Sequence, residues 1–369
     1  MKVKYLDLVS QYNSIETEIN TAILNVVKSG HYCLGEQVFQ FERNFANFCN
    51  VSYAVACNSG TSALHMALLA AGIQEGDEVI TTAATFVATV AAIRLSRAVP
   101  VLVDISDKTL NIDYEKIECL ITDKTKAIIV VHLHGNPCEI DKIRNISRKH
   151  GLVLIEDAAQ AHDSEYKGHR IGSIGDMACF SFYPGKNLGA YGEAGAVVTN
   201  NEVYAEKLKL IRDWGSTRKY EHNIEGYNYR MDAIQGAILD IKLKHLPLWT
   251  SARINKANLY KKYLSRLPVI TSTVLPEAKH VYHVFAIRTE KRNALKEFLT
   301  LNGIETGIHY PIPVHNQPAF ELICKKSNCL KISEIAAEQL LSLPIYPELS
   351  NESILYTCQV IQKFFEEDR

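Results

Sequence analysis

Short, wholly apolar runs separated by stretches of helical spacing recur through the first two-thirds of this 369-residue chain. Tyr53-Ala-Val-Ala-Cys57 and the runs 99–103, 127–131 and 152–155 are too short for helices and too uniformly apolar to keep one face wet, and Asp77-Glu-Val-Ile80 is read as a further strand among them. Strands buried on both faces belong to parallel sheets, whose crossovers need the helices read over 61–71, 84–96, 114–121 and 139–150. A hairpin is predicted over 166–171 and a further strand over 196–199. The class is therefore α/β, with a largely parallel sheet covered on both sides and ligands expected beyond the strands' C-terminal ends. Asn58, Asp157 and Ser181 stand at such ends. From Asp232 the pattern changes: a helix over 233–246 is expected to stop at Pro247, and wider-spaced segments follow at 254–267, 280–288, 295–302, 334–341 and 354–365. This predicts a large domain over 1–246 and a smaller α/β domain over 247–369, with the helical segment before Val51 along the edge.

Two of the apolar runs end in chemistry. Residues 151–156 lead into Asp157-Ala158-Ala159-Gln160, and Ala178-Cys179-Phe180-Ser181-Phe182-Tyr183 breaks at Pro184-Gly185 to deliver Lys186 into a loop of small residues. A carboxylate and an amine at the ends of buried strands are the two groups a pyridoxal phosphate enzyme needs. The amine forms a Schiff base, and the acid pairs with the protonated pyridine nitrogen and makes the ring an electron sink. Lys186 alone would fit a solvated turn equally well. A nucleotide-triphosphate loop is excluded, because Phe180 and Asn187 stand where that motif needs Gly and Ser or Thr. Gly189, Gly192 and Gly195 have the wrong spacing for a dinucleotide fingerprint.

Composition narrows the class. Lys and Arg number 40 against 41 Asp and Glu, and the net charge of −1 argues against a general grip on nucleic acid or an anionic membrane. No apolar signal core or membrane-length window appears, so a cytoplasmic protein is expected. Nine cysteines, an odd count partly within apolar segments, do not make a disulfide scaffold. His132-x-His134 would put two imidazoles on one face of a strand, but no further ligands cluster nearby, and no metal is assigned.

Asn58-Ser59-Gly60-Thr61-Ser62 joins a strand to a helix, where free N–H groups and the helix dipole make an anion site. A plain N-cap is the competing reading. Ser181 could donate to the same phosphate. Phe86, in Thr85-Phe86-Val87-Ala88-Thr89, could stack on a flat ring or fill the core, and His162 carries the same ambiguity.

Taken in order, these motifs identify a resemblance. Cys-Asn-Ser-Gly-Thr-Ser-Ala-Leu from Cys57, Gly76-Asp-Glu-Val-Ile-Thr, Thr85-Phe-Val-Ala-Thr, Glu156-Asp-Ala-Ala-Gln-Ala-His, Ser181-Phe-Tyr-Pro-Gly-Lys-Asn-Leu-Gly and Gly226-Tyr-Asn-Tyr-Arg-Met-Asp232 resemble the DegT/DnrJ/EryC1/StrS sugar-nucleotide aminotransferases over almost the whole chain. The resemblance implies a fold-type I pyridoxal phosphate enzyme, with a mostly parallel seven-stranded sheet in the large domain and a smaller C-terminal α/β domain. It implies that Lys186 carries the Schiff base, Asp157 pairs with the pyridine nitrogen, Gln160 approaches the phenolic oxygen and Phe86 lies against the ring. Gly60, Thr61 and Ser181 would hold the phosphate, joined by Asn228 from a neighbouring subunit, so that a homodimer shares its sites. The run Ala161-His162-Asp163-Ser164 departs from the family, where Gly usually follows His.

Dehydratases of this group have histidine in place of the lysine, so Lys186 implies transamination. An amino donor, L-glutamate, would leave its nitrogen on the cofactor, and a nucleotide-linked keto sugar would collect it. Residues 181–192 and 307–315 look most like enzymes aminating C3 of dTDP-linked 3-keto-6-deoxyhexoses, which supply deoxyamino sugars for lipopolysaccharide or surface-layer glycans. A C4-aminating enzyme on a dTDP- or UDP-linked 4-keto sugar is the nearest alternative, and a non-catalytic, cofactor-binding regulatory protein is another. Tyr183, His309, His315, Arg230 and Arg212 are candidates for substrate contacts, each with a packing or ion-pair role as its competitor.

Overall fold

A computed structural model describes residues 1–326 and 329–367. Seven strands form the central sheet in the order Tyr53–Cys57, Gly195–Thr199, Met177–Ser181, Val153–Asp157, Thr125–Val131, Glu78–Thr82, Val99–Val103. Gly195–Thr199 runs antiparallel to both its neighbours and the rest are parallel, as expected of a mostly parallel sheet. Lys325–Lys326 adds a two-residue parallel edge beside Val99–Val103. The alternation of side chains along each strand builds two cores. Ile80, Ile128, Val130, Leu154, Ala178 and Ala196 face one layer. Val79, Ala127, Ile129, Ile155, Met177 and Val197 face the other. The first layer includes the helix Glu36–Cys49, and the second includes Gly60–Ala70, which is buried on almost every side.

A separate, smaller core surrounds the antiparallel sheet of Ile270–Thr271, Phe285–Arg288 and Leu340–Leu343, with the helices Arg292–Leu301 and Asn351–Glu367. Val3 belongs to this core and pairs with Ile304, so the extreme N-terminus packs on C-terminal elements. The helix expected to stop at Pro247 instead runs unbroken over Ala233–Leu264. Proline removes one intrahelical hydrogen bond, at a cost of about 3 kcal/mol. Here Leu239, Leu243 and Leu246 are anchored in the large core, and Ala257, Tyr260 and Leu264 in the small one. Packing on both sides of Pro247 outweighs the local penalty.

Other differences are local. The helix read over 114–121 is two 3-10 turns, Tyr114–Lys116 and Glu118–Leu120. His132 and His134 lie past the end of Thr125–Val131, with the 3-10 turn Leu133–Gly135 immediately after His132, and so do not share a strand face. The hairpin forms from Glu165–Tyr166 and His169–Arg170. No helix among the described residues is long and apolar enough to cross a membrane.

Behind the Lys186 loop, Phe45 packs edge-on against Phe180 and Phe182, with centroids 5.0 and 5.2 Å away, and stacks on Phe41 at 5.4 Å. Truncating this fully buried ring should cost about 3–5 kcal/mol of unfolding free energy. Phe45→Ala is expected to lower the urea midpoint at an unchanged m-value, and an unmoved midpoint would show that the ring cluster contributes no packing.

Candidate active site

The C-terminal ends of the parallel strands open into one cavity of about 570 Å³. Its wall contains Gly60, Thr61, Phe86, Asp157, Gln160, Ser181, Tyr183, Lys186 and His309. Register explains the juxtaposition: Asp157 pairs with Cys179, so the carboxylate and the strand that feeds the lysine loop are direct neighbours.

Asp157 is 6% exposed. Its Oδ2 accepts the Thr89 hydroxyl at 2.8 Å and its Oδ1 accepts the Ala159 N–H at 3.2 Å. Burial raises its pKa, while these bonds and the Lys186 charge pull it back. Lys186 is pushed the opposite way: burial lowers its pKa to about 8, against the attraction of Asp157. An amine that is neutral in a large fraction near pH 8 can act as nucleophile and base.

The helix Gly60–Ala70 points its N-terminus at the cavity. Ser59 is its N-cap, accepting the Ser62 N–H at 3.0 Å. The Gly60 and Thr61 N–H groups find no acceptor among the described residues. Both readings of this segment therefore hold: Ser59 caps, and the next two amides remain for an anion. Packing is tight enough to demand glycine. A Cβ on Gly60 would lie 2.5 Å from the Ser181 Cβ, and one on Gly195 would lie 2.3 Å from the Ser59 carbonyl oxygen. Phosphate donors, buried acid and lysine together fit pyridoxal phosphate.

Gln160 is held from two sides, its Oε1 accepting the His134 N–H at 2.6 Å and its Nε2 donating to the Tyr310 hydroxyl at 3.0 Å. Phe86 is 53% exposed on the cavity wall, with its centroid 5.4 Å from that of Tyr310, so the core alternative falls. His162 packs behind the cavity, between Phe180 and Phe182, and burial lowers its pKa to about 3. His309 bonds Ser342 Oγ at 2.8 Å and stacks on Tyr5, and burial followed by the Lys186 charge lowers its pKa to about 4. The His132 and His134 side chains are engaged with Glu156 and with the His309 carbonyl, at 3.1 Å each.

Four candidates lie outside the cavity wall. Arg212 is buried against Glu42 and the Ala56 carbonyl, so the ion-pair role holds for it. His315 is buried, with its Nε2 2.9 Å from Glu334, and Arg230 pairs with Asp213 at 2.7 Å. Asn228 is exposed, and its carbonyl accepts the Asn58 amide at 3.2 Å. Conversely, Tyr5, Thr89, Arg253, His283 and Tyr310 were not singled out in the sequence. Thr89 carried a faint signal, since it lies one helical turn after Thr85, whose hydroxyl it meets at 2.8 Å. Tyr310 directly follows His309. Tyr5, Arg253 and His283 carried none.

Comparison with known proteins agrees with this geometry. Residues 13–362 match the DegT/DnrJ/EryC1/StrS aminotransferase family, and the chain belongs to that family. It is 43% identical to a "pleiotropic regulatory protein" of Geobacillus stearothermophilus, over 99% of both chains. It is 41% identical to the dTDP-3-amino-3,4,6-trideoxy-alpha-D-glucose transaminase of Streptomyces venezuelae, over 99% of this chain and 97% of the relative. The dTDP-3-amino-3,6-dideoxy-alpha-D-galactopyranose transaminase of Aneurinibacillus thermoaerophilus is 41% identical, over 98% of this chain and 99% of the relative. Among solved structures, S. venezuelae DesV in complex with a ketimine intermediate superposes with a TM-score of 0.97 at 40% identity, over 99% of both chains. NtdA from Bacillus subtilis, with bound cofactor PMP, gives 0.92 at 32% identity, over 99% of this chain and 85% of that one. Pyridoxal phosphate is accordingly the cofactor, and the chain is an aminotransferase.

Two measurements test the site directly. Gly60→Ala should weaken cofactor retention by about ten-fold or more, since the cradle can no longer close on Ser181; unchanged retention in dialysis would mean the phosphate sits elsewhere. The rate of Schiff-base formation by the cofactor-free protein should rise with pH through about 8, the value at which the half-buried Lys186 loses its proton. A midpoint near the ordinary lysine value would show that the amine is solvated.

Proposed function

We propose that this protein transfers an amino group from L-glutamate to C3 of a dTDP-linked 3-keto-6-deoxyhexose, in a homodimer with shared sites. The observation that carries the reaction is the Asp157–Lys186 pair on one cavity wall, a buried acid and a half-buried amine of lowered pKa. Support for the acceptor comes from the two relatives named for dTDP-linked 3-amino sugars, each matched over nearly its whole length.

Pyridoxal phosphate, when bound, supplies an electron sink for the carbon that loses its proton. The chain's residues do the rest. Gly60, Thr61 and Ser181 would bind the phosphate, and the half-exposed Phe86 ring would lie against the heterocycle. Asp157, with one oxygen on Thr89 and the other on the Ala159 N–H, would keep a proton on the pyridine nitrogen. With the cofactor bound, the neutral Lys186 amine would take the proton from the carbon that bears the transferred nitrogen and deliver it to the carbon on the other side of that nitrogen, then do the reverse for the sugar. Gln160, fixed by His134 and Tyr310, would orient the phenolic oxygen. Tyr183, 54% exposed, and His309 line the same cavity, and both are assigned to the sugar.

Asn228 and Arg230 are absent from their own chain's cavity wall, and Asn228 is exposed. This supports a role in a partner's site, and a place for His315 at the sugar end is carried by its loop alone. Lys186→Ala should keep its fold and lose all turnover. Mixing it with Asn228→Ala should restore about a quarter of the wild-type sites, because half of randomly assorted dimers then hold one intact site of two. No recovery on mixing would mean that each chain works alone. Amino transfer to the 4-keto isomer but not the 3-keto sugar would move the reaction to C4.

A further inference from the structure

His283 lies just before the strand Phe285–Arg288 and lines the same cavity as Lys186, yet no step above uses it. Its protonation is decided by Asn187, the residue after the lysine. Asn187 is buried, and its Nδ2 donates to the Val281 carbonyl at 3.1 Å, an oxygen that can only accept. The Asn187 Oδ1 therefore faces His283 Nδ1, 3.3 Å away, and an amide oxygen can only accept as well. Nδ1 must then carry the proton and Nε2 the lone pair. The backbone fixes the ring's origin, His283 N donating to the His134 carbonyl at 3.0 Å. A second proton is opposed by burial first and then by the charges of Lys186 and Arg253. Nε2 has no partner among the described residues and is not walled off from the cavity.

The cavity thus sets an acceptor that cannot become a donor next to the loop of its one catalytic amine. Carboxylates of an amino donor and phosphate oxygens have no proton to give it, and the donor's amino group is committed to the reacting carbon. A sugar hydroxyl does. Because Asn187 ties His283 to the residue beside Lys186, and Lys186 works on the reacting carbon, the hydroxyl within reach is the one on a neighbouring carbon. Resting on the keto-sugar reading above, we propose that His283 is a substrate-binding residue whose Nε2 accepts a hydrogen bond from the hydroxyl on the carbon next to the acceptor's ketone.

Two experiments test this. Nitrogen-15 NMR of histidine-labelled, cofactor-free protein, with His283→Asn to assign the signal, should show a neutral Nδ1–H imidazole from pH 6 to 8. An Nε2–H tautomer or an imidazolium would overturn the proposal. Calorimetry on the pyridoxamine-charged protein should then compare a dTDP-3-keto sugar with its 2-deoxy and 4-deoxy analogues. Wild type should bind one analogue about ten-fold more weakly than the parent, the loss expected for one good hydrogen bond. His283→Phe should bind parent and analogue alike, and His283→Gln should recover part of the difference. Equal discrimination in His283→Phe would sink the assignment. Failure of wild type to bind any keto sugar would instead overturn the acceptor reading, and this inference with it, while the tautomer result stood.

Discussion

Asp157 is a carboxylate held almost dry, and the large domain is arranged around keeping it useful. An isolated buried charge would be neutralised by protonation. Here the Thr89 hydroxyl, the Ala159 N–H and the charge of Lys186 counter the burial. Each of these comes from a different element. Thr89 is on the helix Val87–Leu95, Ala159 on the turn after the strand, and Lys186 on the loop beyond the adjacent strand. The parallel sheet brings them together because its strands end on one edge. The same edge places the start of Gly60–Ala70 opposite Ser181, at a distance only a glycine allows.

Much of this was legible in the chain. Double-sided burial leaves strands without polar residues, so an acid or a loop lysine at the end of such a run stands out, as Asp157 and Lys186 do. Phe86, Gln160 and Ser181 could be found by the same logic of strand ends. The rest depends on partners distant in sequence. Tyr5 reaches His309 across about three hundred residues, and Arg253 sits in a long helix where its spacing matches any surface cation. Its buried guanidinium donates to the Tyr282 and Ile345 carbonyls, contacts that no local pattern encodes. Pro247 misled for the same reason. Local propensity ends a helix there, whereas two cores hold it together.

The electrostatics of the cavity follow from its burial. His134, His162, His283 and His309 all have lowered pKa values, chiefly through desolvation. Histidines that stay neutral add no cations to a site that already holds Lys186 and Arg253. They also leave their tautomers to be set by neighbours, which turns each ring into a fixed donor or acceptor. A site built this way can orient an uncharged sugar by direction of hydrogen bonding. Its few cations and the free amides of Gly60 and Thr61 remain for the phosphate. The division matches the two halves of a nucleotide sugar reaction. Cations and free amides hold the ligands by their anionic groups, and the neutral ring at the centre is read by the groups around Lys186.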